Sequence, residues 1–362
     1  MKILHVITSL YTGGAERLMV DLLPLLKDKG RNQVDLLLFN GVETQFKKKI
    51  EQNGITVFSL SSTNDVYHPR NIIRMRPFLG QYDIIHTHNT ACQLFVPIAL
   101  RFVNANPLLV TTEHNANNRR RSSMWMKPVD RWMYNQYAAI VCIADQTRSN
   151  LEDYIGKWDK IHTIYNGVDI SRFIRPVKDI TRTSQFVITM VSAYRVQKDH
   201  ETLMRALKRL PANYRLQLVG GGEKVDKERL VSCCRDLGIE ERVAFLGVRP
   251  DVPDILEQSD FVVLSSHWEG LSLSSIEGMA SGRPFIASDV DGLREIVDNA
   301  GVLFTHGDDQ ELAEVILRLS NHPEEYKSVA MRCQEKARQY DITFMAQNYL
   351  DLYKQLTSSN QS

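Results

Sequence analysis

Apolar and β-branched residues along this chain gather in short runs, and between the runs apolar positions recur every third or fourth residue. In the first half the runs are KILHVIT, VDLLLFN, ITVFSL, YDIIHTH, PLLVTTEH, AAIVCIA and KIHTIYN. In the second half they are QFVITMVSAY, RLQLVGG, VAFLGV, FVVLSS, RPFIASD and GVLF. Near-continuous apolar runs predict strands buried on both faces. Stretches such as AERLMVDLLPLLKDKG and HETLMRALKRL predict amphipathic helices between them. Strand–helix alternation of this kind implies parallel sheets with helices on both sides.

The alternation restarts near residue 185, and SRFIRPVKDITRTSQ, with Pro176 and no clear period, reads as the linker. The pattern therefore predicts an α/β chain of two doubly wound, Rossmann-like domains with a cleft between them, at 1–175 and 176–342. The closing helix YDITFMAQNYLDLYKQL either caps the second domain or returns to the first. In doubly wound sheets ligands bind beyond the carboxyl ends of the strands, so the loops that follow strands are the places to search.

Composition narrows the class. A length of 362 residues exceeds one ordinary core. With 43% apolar and 24% charged residues and a net charge of +1, the chain reads as soluble and globular, with no reason to expect a nucleic-acid partner. The five cysteines (Cys92, Cys142, Cys233, Cys234 and Cys333) are odd in number and lack zinc spacing, which suits a reduced, cytoplasmic protein. The opening MKILHVITSLYTGGAER has too short an apolar run for a signal peptide and no cleavage site. No run approaches the ~20 apolar residues of a spanning helix.

The segment EGLSLSSIEGMASGRP places Glu269 in a loop and Glu277 inside a helix. Between them, near Leu273 and Ser274, the first turn of that helix offers unpaired N–H groups and a positive dipole end, a ready site for phosphate. Gly270 and the serines permit close approach. A ligand spanning the segment meets a carboxylate, then amides, then a second carboxylate, an order that suits sugar, diphosphate and ribose. A solvated loop glutamate and a helix-surface glutamate fit the same spacing. In YRVQKDHETL, Arg195 and Lys198 follow a strand and precede a helix capped by Asp199, where cations can neutralise a diphosphate. VGGGE is a flexible turn containing Gly221, and TGGAER puts Gly14 at the first strand–helix junction without a dinucleotide fingerprint. His86 and His88, and then Glu113, His114 and Asn115, sit at strand ends of the first domain. Asp289 and Asp291 spell D-x-D but read as a turn, and His86 with His88 is not a zinc signature, so no metal and no cofactor is expected.

Taken together, the motifs TGGAER, TEHN, YNGVD, YRVQKD, VGGGE, LGVRPDVP and above all EGLSLSSIEGMASGRPFIASDVDGLREIV resemble the retaining family-4 glycosyltransferases of the GT-B fold. The resemblance covers almost the whole chain, and the glutamate pair with its surroundings is its most specific part. It implies a final helix, 343–362, that crosses back to the first domain. It also implies a nucleoside-diphosphate-sugar donor, with Glu277 on the ribose, Glu269 on the transferred sugar and the amides of Leu273 and Ser274 on the diphosphate. Arg195 and Lys198 would neutralise that diphosphate, His114 would face the sugar, Arg249 would lie near the base, and Gly14 and Gly221 would line the donor. Two positions depart from the family: Ala193 stands where an arginine is usual, and Asp291 where a glycine precedes G-L-R-E. Implied on the acceptor side are His88, Glu113 and Asn115, with a saccharide or lipid-linked saccharide as acceptor.

Residues 116–137, ANNRRRSSMWMKPVDRWMYNQY, combine Arg119, Arg120 and Arg121 with Trp125, Trp132 and Lys127. A basic, aromatic-rich segment suits peripheral contact with an anionic membrane, on the inner face of the plasma membrane, although an ordinary helix with core tryptophans has the same composition. Rival readings are a nucleotide-sugar epimerase of the same two-domain architecture and a non-catalytic sugar-nucleotide-binding module.

Overall fold

The computed structural model describes every residue except 12, 64, 115–122, 124, 182–183 and 360–362. Its contacts divide the chain into two compact units, Met1–Gly167 with Ile342–Ser362, and Val168–Asp341. Residues 168–175, assigned to the first domain by the linker pattern, belong by contacts to the second.

The first unit holds a parallel seven-stranded sheet in the order β3-β2-β1-β4-β5-β6-β7. Its strands are β1 (Lys2–Ile7), β2 (Gln33–Asn40), β3 (Thr56–Ser61), β4 (Ile84–His88), β5 (Leu108–Glu113), β6 (Ala139–Cys142) and β7 (Ile161–Thr163). Helices α1 (Gly14–Gly30), α2 (Gln45–Gln52), α3 (Arg70–Leu79), α4 (Thr90–Leu100), α5 (Met126–Asn135) and α6 (Asp145–Ile155) connect them. Two apolar clusters form, one on each face, because every central strand buries both of its sides. The cluster under α1 also takes Ile342, Met345, Ala346, Tyr349, Leu350 and Tyr353. These come from the last helix of the chain (Ile342–Ser359), which therefore completes the first unit and does not cap the second.

The second unit holds a six-stranded sheet in the order β10-β9-β8-β11-β12-β13, again with every pairing parallel. Its strands are β8 (Phe186–Val191), β9 (Tyr214–Val219), β10 (Val243–Gly247), β11 (Phe261–Leu264), β12 (Phe285–Ser288) and β13 (Val302–Phe304). Its helices are α7 (His200–Arg209), α8 (Lys224–Leu237), α9 (Val252–Gln258), α10 (Leu273–Ala280), α11 (Arg294–Val297), α12 (Asp309–Asn321) and α13 (Pro323–Arg338), and the last helix of the chain is α14.

Strand order reverses between β1 and β4 in the first sheet and between β8 and β11 in the second. At such a reversal the flanking helices diverge to opposite faces and leave a crevice at the carboxyl ends. Of the loops that carry chemistry in the sequence, those after β1, β4, β8 and β11 start at these two reversals, and those after β5 and β9 start one strand away.

Candidate active site

In the second unit the loops after β8 and β11 are stitched together. His267 N–H donates to Gln197 O (2.8 Å), Gln197 Nε2 donates to Trp268 O (2.7 Å), and Ser265 Oγ donates to Asp199 O (2.8 Å). A short helical turn, Val196–Lys198, ends at Asp199, whose side chain accepts from Thr202 N and so caps α7. That turn points Lys198 at the neighbouring loop, where its Nζ meets Glu269 Oε1 at 2.5 Å. Ser266 Oγ donates to the same oxygen at 2.6 Å. Glu269 is 8% exposed, so this pair sits largely out of water, where its attraction is screened little. Glu269 and Lys198, read in the sequence as contacts on different parts of a ligand, are in fact bonded to each other.

Helix α10 begins four residues after Glu269. Ser272 occupies its N-cap with an extended backbone, and among the described residues no side chain caps it. The amides of Leu273 and Ser274 therefore stand in the first turn without helical partners, as the general geometry of a helix start requires. What fixes this helix end is packing. Ile276, Met279 and Ala280 are fully buried, and a Cβ at Gly278 would lie 2.8 Å from both Phe285 and Val262, so α10 lies tight on β11 and β12. Glu277, one turn in, is 1% exposed. The loop after β12 closes the other side. Gly292 has φ +82°, and a Cβ there would lie 2.4 Å from the carbonyl oxygens of Glu269 and Gly270.

The remaining candidates of this unit are less engaged. Arg195 is exposed and makes no ion pair among the described residues. Arg249 forks onto Asp251 two residues away (2.7 and 2.5 Å) on the surface, so its guanidinium is already occupied. Gly221 accepts from Tyr194 N–H (2.7 Å), holding the glycine turn against the Arg195 loop. Gly270 borders open space. Asp289 and Asp291 both face Arg294, at 2.6 and 3.6 Å, which makes the D-x-D a charge-paired turn. Asp199, His267 and His306 bring three potential metal-ligand atoms together, but His267 and His306 already hydrogen-bond each other (2.6 Å) and Asp199 caps α7.

In the first unit a cavity of about 220 Å³ opens at the reversal between β1 and β4, lined among others by Thr8, Tyr67, Asn89, Gln93, Glu113 and His114. Asn89 holds φ 68° and ψ 151°, a costly conformation for any residue but glycine, and its side chain ties to Thr8 Oγ1 at 3.0 Å. Glu113 is buried and receives bonds from Gln93 Nε2 (2.5 Å) and Tyr134 OH (2.7 Å), so its carboxylate is held rigidly at the cavity wall. His114 is partly exposed, and burial of its ring pushes its pKa down to about 4. His88, expected on the acceptor side, is instead 1% exposed and lies behind His114, bonded to it at 2.9 Å. Its ring is taken up between His5 and His114 and does not line the cavity. Gly14 opens α1 on an exposed turn next to its N-cap, Gly13. Asn115 lies outside the described residues. Sequence reasoning missed His5 and Asn89; a histidine in mid-strand in KILHVIT was the available signal for the first.

A family profile described as "Glycosyltransferase Family 4" matches residues 12–172, and one described as "Glycosyl transferases group 1" matches residues 185–322. The first profile covers β2 to β7 and the second β8 to β13. The chain is a family-4 glycosyltransferase of the GT-B fold.

This glycosyltransferase is 26% identical to the "Putative glycosyltransferase EpsD" of Bacillus subtilis, over 82% of its own length and 84% of the relative's. It is 28% identical to the Escherichia coli "UDP-Gal:alpha-D-GlcNAc-diphosphoundecaprenol alpha-1,3-galactosyltransferase", over 67% of each chain. The crystal structure of Anabaena HepE in complex with UDP-glucose matches with a TM-score of 0.84 and 25% identity, covering 99% of this glycosyltransferase and 100% of that chain.

Within residues 116–137, Arg119, Arg120 and Arg121 lie outside the described residues. The described part of the glycosyltransferase's segment presents Trp125, 89% exposed, together with Val129 and Arg131 on the outside of α5. Trp132 instead packs partly against the core, and Lys127 sits 5.7 Å over the ring of Tyr154. Helix α3, which packs on α4 next to α5, turns Arg70, Ile73 and Arg74 outward. No helix among the described residues is long and apolar enough to cross a membrane.

Proposed function

We propose that this glycosyltransferase moves a hexose or N-acetylhexosamine from a UDP-sugar to a hydroxyl of a lipid-linked saccharide, with retention at the anomeric carbon and without a metal. The Lys198–Glu269 pair beside the uncapped start of α10 carries this reading. As the bond to the diphosphate breaks, negative charge grows on the leaving oxygens. An ammonium held in place by a buried carboxylate, with fixed amides at Leu273 and Ser274, stabilises that charge with no reorganisation at the moment of reaction. Arg195, exposed and in no ion pair among the described residues, adds a second cation. Glu269 then has two tasks: it positions Lys198 through one oxygen and accepts sugar hydroxyls through the other. Glu277 takes the ribose hydroxyls, and His114 contacts the transferred sugar. Lys198 and Ser266 both hold Glu269 Oε1, which disfavours that carboxylate as a covalent nucleophile, so the proposed step has the acceptor attack the face the diphosphate leaves, with a departing phosphate oxygen taking the acceptor's proton.

The acceptor reading draws on the diphosphoundecaprenol named for the E. coli relative and on the outward basic and aromatic side chains of α3 and α5. Such surfaces hold a protein at an anionic bilayer, where lipid-linked saccharides are found during assembly of cell-surface polysaccharides such as capsule or O-antigen. We place the glycosyltransferase on the cytoplasmic face of the membrane.

Thermal shift across UDP-, GDP- and ADP-sugars tests the donor, since a ligand that binds only the folded state raises apparent stability. Transfer to an undecaprenyl-diphosphate saccharide, repeated with EDTA, tests acceptor and metal together. Stabilisation by a GDP- or ADP-sugar alone overturns the donor assignment, and loss of turnover in EDTA overturns metal independence. Conversion of the donor with no acceptor present points instead to an epimerase.

A further inference from the structure

Behind His114 two more histidines are sealed into the sheet, and no step of the proposed reaction touches them. His5 lies in mid-strand in β1, fully buried, and His88 ends β4 at 1% exposure. Parallel register sets His5 against His86 and His88 against Thr112, which brings the side chains of three neighbouring strands onto one flank. His5 Nδ1 lies 3.0 Å from His88 Nε2, and His88 Nδ1 lies 2.9 Å from His114 Nε2. The rings of His5 and His88 are nearly parallel, at 11°. At the inner end, His5 Nε2 is buried with no hydrogen-bond partner. At the outer end, His114 Nδ1 makes no hydrogen bond among the described residues, and His114 lines the cavity.

Three neutral imidazoles in a row carry one N–H each, so the chain of bonds runs wholly outward or wholly inward; any mixture sets two protons or two lone pairs against each other. The inward order ends in an N–H at His5 Nε2 with nothing to accept it, and orphaned buried N–H groups are rare and expensive. The outward order leaves only a lone pair there. It delivers a proton to His114 Nδ1, where the oxygens of a sugar nucleotide supply acceptors.

We propose that His5 and His88 form a one-way hydrogen-bond relay that locks His114 as its Nδ1–H tautomer, so that His114 meets the sugar as a neutral donor and not as a base. Burial keeps all three rings neutral: His5 is pushed down to about 3, His114 to about 4, and His88 lies well below its ordinary value. Bonds in a chain also polarise one another, so the terminal N–H is a better donor than an isolated imidazole's. His5 and His88 are positioning residues, acting through His114. The inference rests on the reading that His114 faces the transferred sugar, but its structural half does not depend on turnover.

Two-bond ¹H–¹⁵N spectra of the full-length protein labelled with ¹⁵N-histidine, with His114 assigned by His114→Gln, report the tautomer directly. The expected result is a single Nδ1–H pattern for His114 at pH 7.5; an Nε2–H pattern overturns the relay whatever the activity. His5→Leu removes the inner donor. It should give a tautomer-averaged His114 signal and lower kcat by about 10-fold or more, with the donor KM within about 2-fold. His5→Asn sets an amide N–H where Nδ1 was, and should restore both the Nδ1–H pattern and most of kcat. Equal losses in the two variants would assign the effect to packing and sink the proposal. If His5→Leu fails to fold, judged by its melt and by UDP binding, the wild-type spectrum and His5→Asn still decide. If no donor–acceptor pair turns over, the sugar-transfer reading fails while the spectrum still tests the relay.

Discussion

Replacing Lys198 by Met keeps the length of the side chain and removes its charge, which perturbs stability and catalysis through separate quantities. The ammonium lies 2.5 Å from Glu269 Oε1, and the two side chains are only 16% and 7% exposed. Breaking a buried pair by deleting one partner costs about 3–5 kcal/mol, because the other charge is left without compensation. Ser266 still bonds Glu269 in the variant, so the low end applies, about 3 kcal/mol. For a unit of this size that lowers the melting point by roughly 6–12 °C. Turnover should fall further than stability alone explains, since losing one fixed electrostatic group at a leaving oxygen lowers kcat about 10²–10³-fold. A double-mutant cycle separates the effects. Lys198→Met with Glu269→Gln should regain much of the lost melting temperature, because the stranded carboxylate is gone, while kcat stays low. Differential scanning fluorimetry and initial rates with saturating donor measure both arms. A melting temperature unchanged in Lys198→Met, or losses that simply add in the double variant, would show that the pair is not formed. A kcat within threefold of wild type would remove Lys198 from the chemistry.

Three further outcomes follow from the same geometry. His5 and His114 are held below the 6.5 of a free histidine, at about 3 and 4, so the unfolded chain binds more protons in that window. Stability is then intact above pH ~6.5 and falls as pH drops toward 4, by up to about 1.4 kcal/mol per pH unit per histidine; urea melts at pH 7.5 and 5 should show His5→Asn flattening the slope. Gly292→Ala forces a Cβ into the carbonyls of Glu269 and Gly270 at φ +82°, and should cost about 1–2 kcal/mol and raise the donor KM in steady-state kinetics. Tyr353→Phe removes the hydroxyl that meets His86 Nδ1 at 2.5 Å and should cost about 1–2 kcal/mol in chemical denaturation of the first unit; an unchanged midpoint would mean that this hydroxyl does not help to hold α14 there.

Strand identity was legible because strands of a parallel sheet are buried on both faces and read as unbroken apolar runs, while their helices keep a 3.6-residue period. All thirteen runs became strands of two sheets, seven and six, as KILHVIT and FVVLSS illustrate. The donor loop was legible for a different reason. Two carboxylates, a glycine, three serines and a helix start lie within one short segment, so local spacing carries the pattern. The roles of Arg249 and His88 were less legible, since whether a side chain is already paired or sealed behind a neighbour depends on residues far away in sequence. Arg249 is occupied by Asp251, and His88 stands between His5 and His114.

By itself, then, the sequence determined that this chain makes two wound sheets and where a phosphate-binding helix would start, because both depend on residues close together along the chain. Tertiary structure decided that Lys198 and Glu269 are one unit, that the last helix closes the first sheet, and that three histidines, from β1, β4 and the loop after β5, share one line of hydrogen bonds. Each of those depends on strand order and register, which bring together residues 26 to 267 positions apart. Local propensity carries no information about such pairings; only the packed sheets choose among them.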